Sequence, residues 1–486
     1  MTPNRGKARG LPLRPRPASI TSTTRHTGDA RLKGQLSSLA IALGLLLGGT
    51  TSAADADLRD ILPGFGAAPG CALAAHRDGE RIGFAASGLA DIERGVPIDG
   101  DTLFYAASVS KQFTALAIAQ LVAQGRLSLD DDVRRHIPEL PAYRETVTVR
   151  MLLNHSAGLR DSLSLLRMGG YPSAADATMA QALELQLAQL DTNFVPGSAT
   201  AYSNGGYLLL AEIVRRASGE AFPDYVRRHI LDPLGMSDSF VLDDRDPVSD
   251  HLAHGYVRGD AGFERRDTYP RFGGSGGLML SLNDLARYEH DIEQGQRVWT
   301  PEIARIMTEA GVLADGSPAF RDDTGFVFAA GLMLGTRLGH TAIQHGGGAE
   351  AFRHLYVRLP EQRLGIAVFC NRSDQPVQDM VDAAIAALAD PAPGVLAGAP
   401  APGHYRSPEL RADYRLRGTG HVLYLDILPD AGAGEPVTVE LVRRKPGRYE
   451  GRGLTLLHEA GENGFRLSTS RVPGVRVVPA VEGAGG

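Results

Sequence analysis

The sequence has little lysine and no cluster of positive charge in the region expected to fold. Only Lys7, Lys33, Lys111 and Lys445 are lysines, and every other basic residue is an arginine. The net charge of -6 at pH 7 and the scattered arginines argue against nucleic acid as a partner, because phosphate binding requires a clustered cationic surface. The retention of a lysine at position 111 therefore needs a specific reason.

Metal-binding patterns are also missing. The two cysteines, Cys71 and Cys370, are not part of a Cys/His cluster with zinc spacing, and no His-Glu-x-x-His motif is present. The glycine-rich stretch "GGSGGLML", residues 273–280, lacks the strand-turn-helix context of a phosphate-binding loop, so we interpret it as a loop at the edge of a cleft. We expect no metal and no cofactor.

The N-terminal segment differs in composition from the rest of the chain. Residues 1–35 carry eight basic side chains against one acid, and an apolar run from Leu36 to about Gly49 follows them. A basic region, a short apolar region and an Ala-x-Ala-like site are typical of a secretory signal, with cleavage after Ala53 or Ala56. We expect residues 1–56 to be a signal peptide and the protein to be exported to a bacterial periplasm or outside the cell. Membrane attachment is expected only if this segment stays uncleaved.

A chain of 486 residues suits one large domain and one smaller one. The stretch from Gly70 to Asp91 predicts a β-hairpin with Asp78-Gly79 at its turn. An amphipathic helix is predicted from near Ser108 to near Gly125, a helical, loop-rich middle follows, and four β-type runs and a last helix close the region at residues 325–390. This order predicts an α/β sandwich with an all-helical lobe over residues 57–390.

A second, smaller domain is predicted near the C-terminus. Residues 391–403 are crowded with Pro, Ala and Gly, which is a linker composition. Beyond them, short β-type runs separated by turn residues predict a small antiparallel β domain over residues 404–481, followed by a tail at residues 482–486. We see no internal repeat.

The first candidate catalytic element is "SVSK", which places Ser108 and Lys111 on one face of a helix. A serine hydroxyl is a poor nucleophile until a nearby base takes its proton, and lysine can be that base because burial lowers its pKa. Arginine stays protonated and cannot replace it. This accounts for the lysine at position 111, although a Ser-x-x-Lys match alone also describes a surface lysine one turn from a serine.

Two further polar elements follow in order. In "AYSNGG", Tyr202 could pass a proton and Asn204 could hold a substrate amide, although a Ser/Asn pair before a helix also describes a helix cap. In "QHGGGAEAF", His345 and Gly347-Gly348 end a β-type run, where glycines allow close approach to a ligand. A glycine-rich turn with a structural histidine is the alternative.

In this order and spacing the three elements resemble the signature of the β-lactamase-related serine hydrolases: Ser-x-x-Lys, Tyr-x-Asn, then Lys-Thr-Gly or His-x-Gly. That family includes class C β-lactamases, DD-peptidases, D-aminopeptidases and related esterases. The resemblance covers roughly residues 58–390 and extends to segments such as "VTVRMLLNHSAGLRD" and "ILDPLGMSDS". It implies a β-lactamase/penicillin-binding-protein-like α/β fold, in which an antiparallel sheet is flanked by helices beside an all-helical lobe.

The resemblance also implies roles for individual residues. Ser108 would be the acylated nucleophile, and Lys111 and Tyr202 would form the general-base pair. Asn204 would contact the substrate amide, and His345 would stand where typical β-lactamases have lysine, which argues against efficient β-lactam hydrolysis.

The resemblance assigns the glycines and cysteines as well. Gly347 falls on the motif's glycine, and the backbone N–H groups of Ser108 and Gly348 would form the oxyanion hole. The family fold pairs the first strand with the last strand of the sheet, so Cys71 and Cys370 should be neighbours and could form a disulfide.

The segment after the motif departs from the family pattern. It reads Ala349-Glu350-Ala351-Phe352, where relatives often have glycine before the aromatic residue. The added methyl group there, with Glu350 nearby, could narrow the cleft or favour a cationic substrate group. We interpret His155, in "LLNHSAGL", as structural.

The sequence thus favours a serine hydrolase that forms an acyl-enzyme with a small-molecule or short-peptide substrate, with D-amino-acid peptides first. The alternatives are a promiscuous esterase or weak β-lactamase on the same scaffold, and a non-catalytic protein that binds cell-wall peptide. The sequence leaves the oligomeric state open.

Overall fold

The computed structural model describes most of the chain beyond the N-terminal segment. The described residues are 58–243, 249–321, 325–390, 400, 403–417, 422–429, 437–445, 448–458, 464–469, 472 and 474–480. The predicted signal peptide, most of the predicted linker and the predicted tail lie outside these residues. Within the described part, no helix is long and apolar enough to cross a bilayer, and no three His, Cys, Asp or Glu side chains are grouped to hold a metal.

A seven-stranded antiparallel sheet joins the two ends of the predicted catalytic region. Its strands, in spatial order, are β10 (Val327–Phe328), β11 (Met333–Arg337), β12 (His340–Gly348), β13 (Arg353–Leu359), β14 (Leu364–Cys370), β1 (Cys71–Arg77) and β2 (Glu80–Ser87). The hairpin between β1 and β2 turns at Asp78 and Gly79, which have φ of 53° and 77°. These angles fit the two-residue Asp-Gly turn that the sequence predicts.

Strand β1 lies between β14 and the edge strand β2 and is buried on both faces. Leu73 and Ala75 pack into the core that includes the last helix, whereas Ala72 and Ala74 face the core of the helical lobe. A strand covered on both sides needs apolar residues at every position, which explains the continuous run "CALAA". Cys71 lies directly opposite Cys370 of β14, and the structure joins the two by a disulfide.

Helices form a separate lobe and also cover the sheet. The α-helices of the described residues are α1 (Lys111–Ala123), α2 (Val149–Leu153), α3 (Ser162–Met168), α4 (Met179–Leu187), α5 (Asn204–Ser218), α6 (Phe222–Val226), α7 (Asp232–Leu234), α8 (Leu282–His290), α9 (Pro301–Met307) and α10 (Val377–Leu388). Short strands of the same region are β3 (Leu89–Asp91), β4 (Val96–Pro97), β5 (Phe104–Tyr105), β6 (Phe240–Val241), β7 (Tyr256–Gly259), β8 (Gly262–Arg265) and β9 (Leu278–Leu280). The predicted α/β fold with a helical lobe is confirmed.

Helix α1 differs from the prediction in one respect. The prediction of a helix is confirmed, but the amphipathic character is wrong, because ten of the thirteen residues are buried, including Lys111, Gln112 and Thr114. A helix that is buried all round lies in the middle of a domain. Lys111 and Thr114 have hydrogen-bond partners inside the protein, whereas the Gln112 Nε2 has none within the described residues.

The C-terminal region is a closed antiparallel barrel of eight strands. They are β15 (Gly403–Ser407), β16 (Ala412–Arg417), β17 (Val422–Pro429), β18 (Val437–Lys445), β19 (Arg448–Gly451), β20 (Leu454–Leu457), β21 (Phe465–Ser468) and β22 (Val475–Pro479). Alternate side chains such as Tyr414, Leu425, Tyr449 and Val477 form its core. Closure of the sheet leaves no unpaired edge strand. The predicted small antiparallel β domain is confirmed.

Candidate active site

The site begins in the segment that enters α1. Ala107 has a φ of 49°, a conformation uncommon for a residue with a side chain, and a 3-10 turn at Ala107–Ser110 leads into the helix. Lys111 is completely buried, and its Nζ lies 3.2 Å from the Ser108 Oγ. The two side chains that the sequence placed on one face are therefore in hydrogen-bond contact.

The Lys111 ammonium has two further acceptors. Its Nζ donates to the Asn204 Oδ1 at 2.8 Å and to the Ser275 carbonyl oxygen at 2.6 Å. Ser275 belongs to the glycine-rich loop before β9, and this loop is fixed to α1 because the Thr114 hydroxyl donates to the Gly274 carbonyl. A neutral amine has two protons and one lone pair, so it can donate to Asn204 and Ser275 and still accept a proton from Ser108.

The surroundings of Lys111 favour its neutral form. Burial lowers the pKa of Lys111 to about 7, and the negative charge of Asp161 opposes this shift. The ammonium contacts three neutral oxygen atoms and no carboxylate directly, so desolvation outweighs the charge interaction. A substantial fraction of Lys111 is therefore deprotonated at neutral pH.

Tyr202 is held in the loop before α5 by His155. The His155 carbonyl accepts from the Ala201 N–H at 3.0 Å, and its Nδ1 accepts from the Ser203 N–H at 3.1 Å. The His155 and Tyr202 rings lie 4.4 Å apart. His155 thus grips the backbone on both sides of Tyr202, which is consistent with its interpretation as structural and gives it a position at the site.

The Tyr202 ring lies against both members of the Ser/Lys pair. The Lys111 Nζ is 4.8 Å from the ring centroid, and the Ser108 side chain is near enough to the phenol to act on its pKa. Although 39% of Tyr202 is exposed, burial raises the pKa of the phenol above its usual value. Tyr202 is therefore protonated at neutral pH and is placed to donate a proton.

Asn204 begins α5 and is oriented by Asp161. Both its backbone N–H and its Nδ2 donate to the Asp161 Oδ1, at 2.9 and 2.8 Å. This fixes the amide so that Oδ1 faces Lys111. Ser203 caps the helix through its hydroxyl, which accepts from the Gly206 N–H. The helix-cap interpretation is thus confirmed for Ser203, and Asn204 faces Lys111, while its contact with a substrate amide stays a prediction.

The end of β12 passes close to the segment before Ser108. A Cβ at Gly347 would lie 2.5 Å from the Ala106 carbonyl oxygen, so only glycine fits there without a shift of the backbone. This approach brings Gly348 to the same side of the cleft as Ser108. The oxyanion hole formed by the N–H groups of Ser108 and Gly348 remains a prediction.

His345 lies on β12 near Tyr202, with their rings 6.3 Å apart. Burial and the charge of Lys111 lower the pKa of His345 to about 3. Its Nδ1 lies 2.7 Å from the Gly346 carbonyl oxygen. The residue is therefore a neutral imidazole and does not supply the permanent positive charge of a lysine.

The family model described as Beta-lactamase matches residues 58–390 of the chain. A D-aminopeptidase from Cereibacter sphaeroides is 28% identical over 313 residues, which is 64% of this chain and 58% of that protein. A D-aminopeptidase from Brucella anthropi is 30% identical over 322 residues, which is 66% of this chain and 59% of that protein. The chain thus spans under three fifths of the length of these relatives.

A solved structure of similar fold is the octameric penicillin-binding protein homologue from Pyrococcus abyssi. It has a TM-score of 0.59 and 24% identity, and the match covers 84% of this chain and 96% of that one. The D-amino acid amidase from Ochrobactrum anthropi SV3 gives a TM-score of 0.56 and 23% identity over 65% of this chain and 93% of that one. These similarities agree with the fold described above. The chain belongs to the Beta-lactamase family.

Proposed function

We propose that the protein is a serine hydrolase that forms an acyl-enzyme on Ser108 with short peptides or amides whose acyl group is a D-amino acid. The observation that carries this proposal is the fully buried Lys111 with its Nζ 3.2 Å from the Ser108 Oγ. A lysine with a pKa near neutrality and in contact with a serine is suited to act as a general base.

Acylation would proceed through the three polar groups in contact. The neutral Lys111 takes the Ser108 proton while the Oγ forms a bond to the substrate carbonyl carbon. The carbonyl oxygen becomes negatively charged and is stabilised by the N–H groups of Ser108 and Gly348. The bond to the leaving amine then breaks, and this amine receives a proton from the Tyr202 hydroxyl, which Lys111 reprotonates.

Deacylation would reverse these roles with water. Water loses a proton to the neutral base pair and its oxygen attacks the ester carbon. The Ser108 ester bond breaks, the serine oxygen regains the proton, and the acid product leaves. Asn204, whose amide donates to Asp161, would form a hydrogen bond with the substrate amide.

The D-amino acyl preference is supported by the relatives and by His345. Two relatives are D-aminopeptidases, and a protein of similar fold is a D-amino acid amidase. The neutral His345 lacks the charge that would attract the carboxylate of a β-lactam, which supports a peptide or amide substrate over a β-lactam.

The proposal is tested with D-alanine p-nitroanilide and its L enantiomer. We expect Ser108-dependent release of nitroaniline from the D form and a clearly slower reaction with the L form. Ser108→Ala and Lys111→Arg should each lower kcat by about 10²–10⁴-fold, because the first lacks the nucleophile and the second keeps the charge but cannot accept a proton. Intact mass spectrometry after incubation with a penicillin reports acylation independently of turnover.

Two results would contradict the proposal. A Ser108-dependent penicillin adduct without release from either anilide would indicate a non-catalytic binding protein for cell-wall peptide. Equal rates for both enantiomers would contradict the preference for D-amino acids and indicate a hydrolase without stereoselectivity.

A further inference from the structure

A carboxylate projects from the turn that follows β12. Glu350 is exposed and lies two residues beyond Gly348, whose N–H is the proposed oxyanion donor. The turn is closed by a hydrogen bond from the Ala349 N–H to the Phe352 carbonyl oxygen at 3.1 Å. The Thr268 hydroxyl donates to the Glu350 Oε2. Thr268 thus sets the direction of this carboxylate and leaves acceptor positions for a second partner.

The surroundings of this turn are rigid. Phe352 and Ala351 pack so closely on Gly255 that a Cβ at that glycine would lie 2.6 and 2.7 Å from them. The Tyr269 ring, next to Thr268, stacks on Tyr105 with centroids 4.2 Å apart. Both partners of the Thr268–Glu350 hydrogen bond are therefore flanked by packed aromatic residues, and Tyr105 of the Tyr269 stack lies three residues before Ser108.

Glu350 has no cation of its own within the described ranges: its one hydrogen bond there is to Thr268, and no arginine or lysine lies within ion-pair distance. A cation also lies on this side of the site: a Cβ at Gly348 would be 2.9 Å from the Arg353 Nη1. The charge of Arg321, which keeps interactions of its own, acts on Tyr202 and His345. His345 and Gly348 are three residues apart on a strand, or about 10 Å.

We propose that Glu350, oriented by Thr268, binds the protonated α-amino group of the acyl residue and makes a free N-terminus a requirement for substrates. This inference rests on the proposed function, since it assigns the recognition of the acyl residue in the same site. An ammonium is the partner that an oriented, otherwise unpaired carboxylate at a cleft wall selects, because the charge-assisted hydrogen bond is stronger than a neutral one. The side of Gly348 away from His345 would then hold the N-terminal residue, and the leaving group would extend toward Tyr202 and Arg321.

The test compares two substrates that differ only in the amino group: D-alanine p-nitroanilide and propionic acid p-nitroanilide. For Glu350→Gln, which keeps an acceptor for Thr268 but removes the charge, we expect kcat/KM for the alanine substrate to fall by about 10–100-fold. The value for the propionic substrate should stay within about twofold, because it has no ammonium to lose. Thr268→Val should also lower the ratio of kcat/KM for the alanine substrate to kcat/KM for the propionic substrate, but by less than Glu350→Gln does.

The chain offers a matched control at the other end of β12. There the Thr341 hydroxyl donates to the Glu361 Oε1 at 2.7 Å, which repeats the pair of hydroxyl and carboxylate far from Ser108. Glu361→Gln should leave the ratio of the two substrates unchanged.

The outcomes separate the inference from the proposed function. If Glu350→Gln lowers kcat/KM equally for both substrates, or for neither, Glu350 does not bind the amine, and the hydrolase assignment still stands. If the wild-type protein releases nitroaniline from the propionic substrate as fast as from D-alanine p-nitroanilide, a free amine is not recognised and the inference is wrong. If it hydrolyses neither, the proposed function fails and the inference fails with it.

Discussion

Lys111 occupies a position where a side chain must be able to lose its charge. Its three oxygen partners are neutral, and the nearest acid that affects it, Asp161, is bound to Asn204 and not to the ammonium. Full burial without an ion pair is what lowers its pKa. An arginine at position 111 would remain charged, which explains why a chain rich in arginine keeps lysine there.

The pH dependence of the reaction follows from this environment. The active form has a neutral Lys111, so kcat/KM should rise with pH through an apparent pKa near 7. For a substrate with a free amine it should fall again at higher pH, where the α-amino group that Glu350 is proposed to bind loses its proton. Because the Asp161 charge raises the pKa of Lys111, Asp161→Asn should shift this rise to lower pH. Asparagine is also a good helix cap, so α3 should remain folded. The measurement is a pH profile of kcat/KM for the variant and the wild type.

A control for that profile is Asp132→Asn. Asp132 caps a 3-10 turn through the Arg134 N–H, as Asp161 caps α3, but it has no contact with the site. This variant should keep the wild-type profile. A shift of the Asp161→Asn profile to higher pH would show that Asp161 does not stabilise the charged lysine.

The residues of the site were predictable from the sequence only where a motif marks them. Ser108, Lys111, Tyr202 and Asn204 come from two short patterns, and the structure brings them together. Asp161 and Ser275 were missed as partners of Asn204 and Lys111. Their roles depend on a carboxylate 43 residues before Asn204 and on a backbone carbonyl, and neither leaves a signal in sequence spacing.

At the scale of elements, the approach of β12 to the start of α1 defines the cleft. Gly347 permits it, because its Cα lies against the Ala106 carbonyl and the His354 ring. His354 is itself buried and bridges neighbouring segments, with Nε2 at 2.9 Å from the Tyr105 carbonyl oxygen and Nδ1 accepting from the Cys370 N–H. His354, which lies beside the end of β12, therefore links that end to β5 and β14.

Gly347→Ala should displace the end of β12 from Ser108. The new methyl group would lie 2.5 Å from a backbone oxygen, so relief requires movement of the strand. We expect a loss of about 1–3 kcal/mol in the free energy of unfolding and a fall in kcat/KM, measured by urea unfolding and anilide hydrolysis. Gly346→Ala is the matched control, since its nearest contact is 3.5 Å away. Equal effects of both variants would contradict the steric explanation.

The order of the elements was predictable because the strands near both ends of the catalytic region are continuous apolar runs. The barrel was predicted as an antiparallel domain, but its closure depends on the pairing of β15 with β22. The pattern of single strands does not encode that pairing. The character of α1 was mispredicted because Lys111, Gln112 and Thr114 indicate a polar face, whereas all three side chains are buried.

At the scale of the whole molecule, the disulfide links β1 to β14 across 299 residues. We propose that it forms in the exported protein, where an oxidising compartment permits it. Thiol titration of the denatured, unreduced protein should then find no free thiol. Cys370→Ser should lower the free energy of unfolding by roughly 2–5 kcal/mol in urea, because a long loop is released in the unfolded chain. Two free thiols in the unreduced wild-type protein would contradict the bridge.

The position of β1 between β2 and β14 also affects how the chain folds during synthesis. Its hairpin partner β2 follows immediately, but its other neighbour, β14, leaves the ribosome only after almost three hundred further residues. At about 5–20 residues per second, this takes roughly 15–60 s. During that interval one edge of an apolar hairpin has no native partner, so the nascent chain depends on chaperones or on early folding of the helical lobe to keep that edge from pairing with other chains.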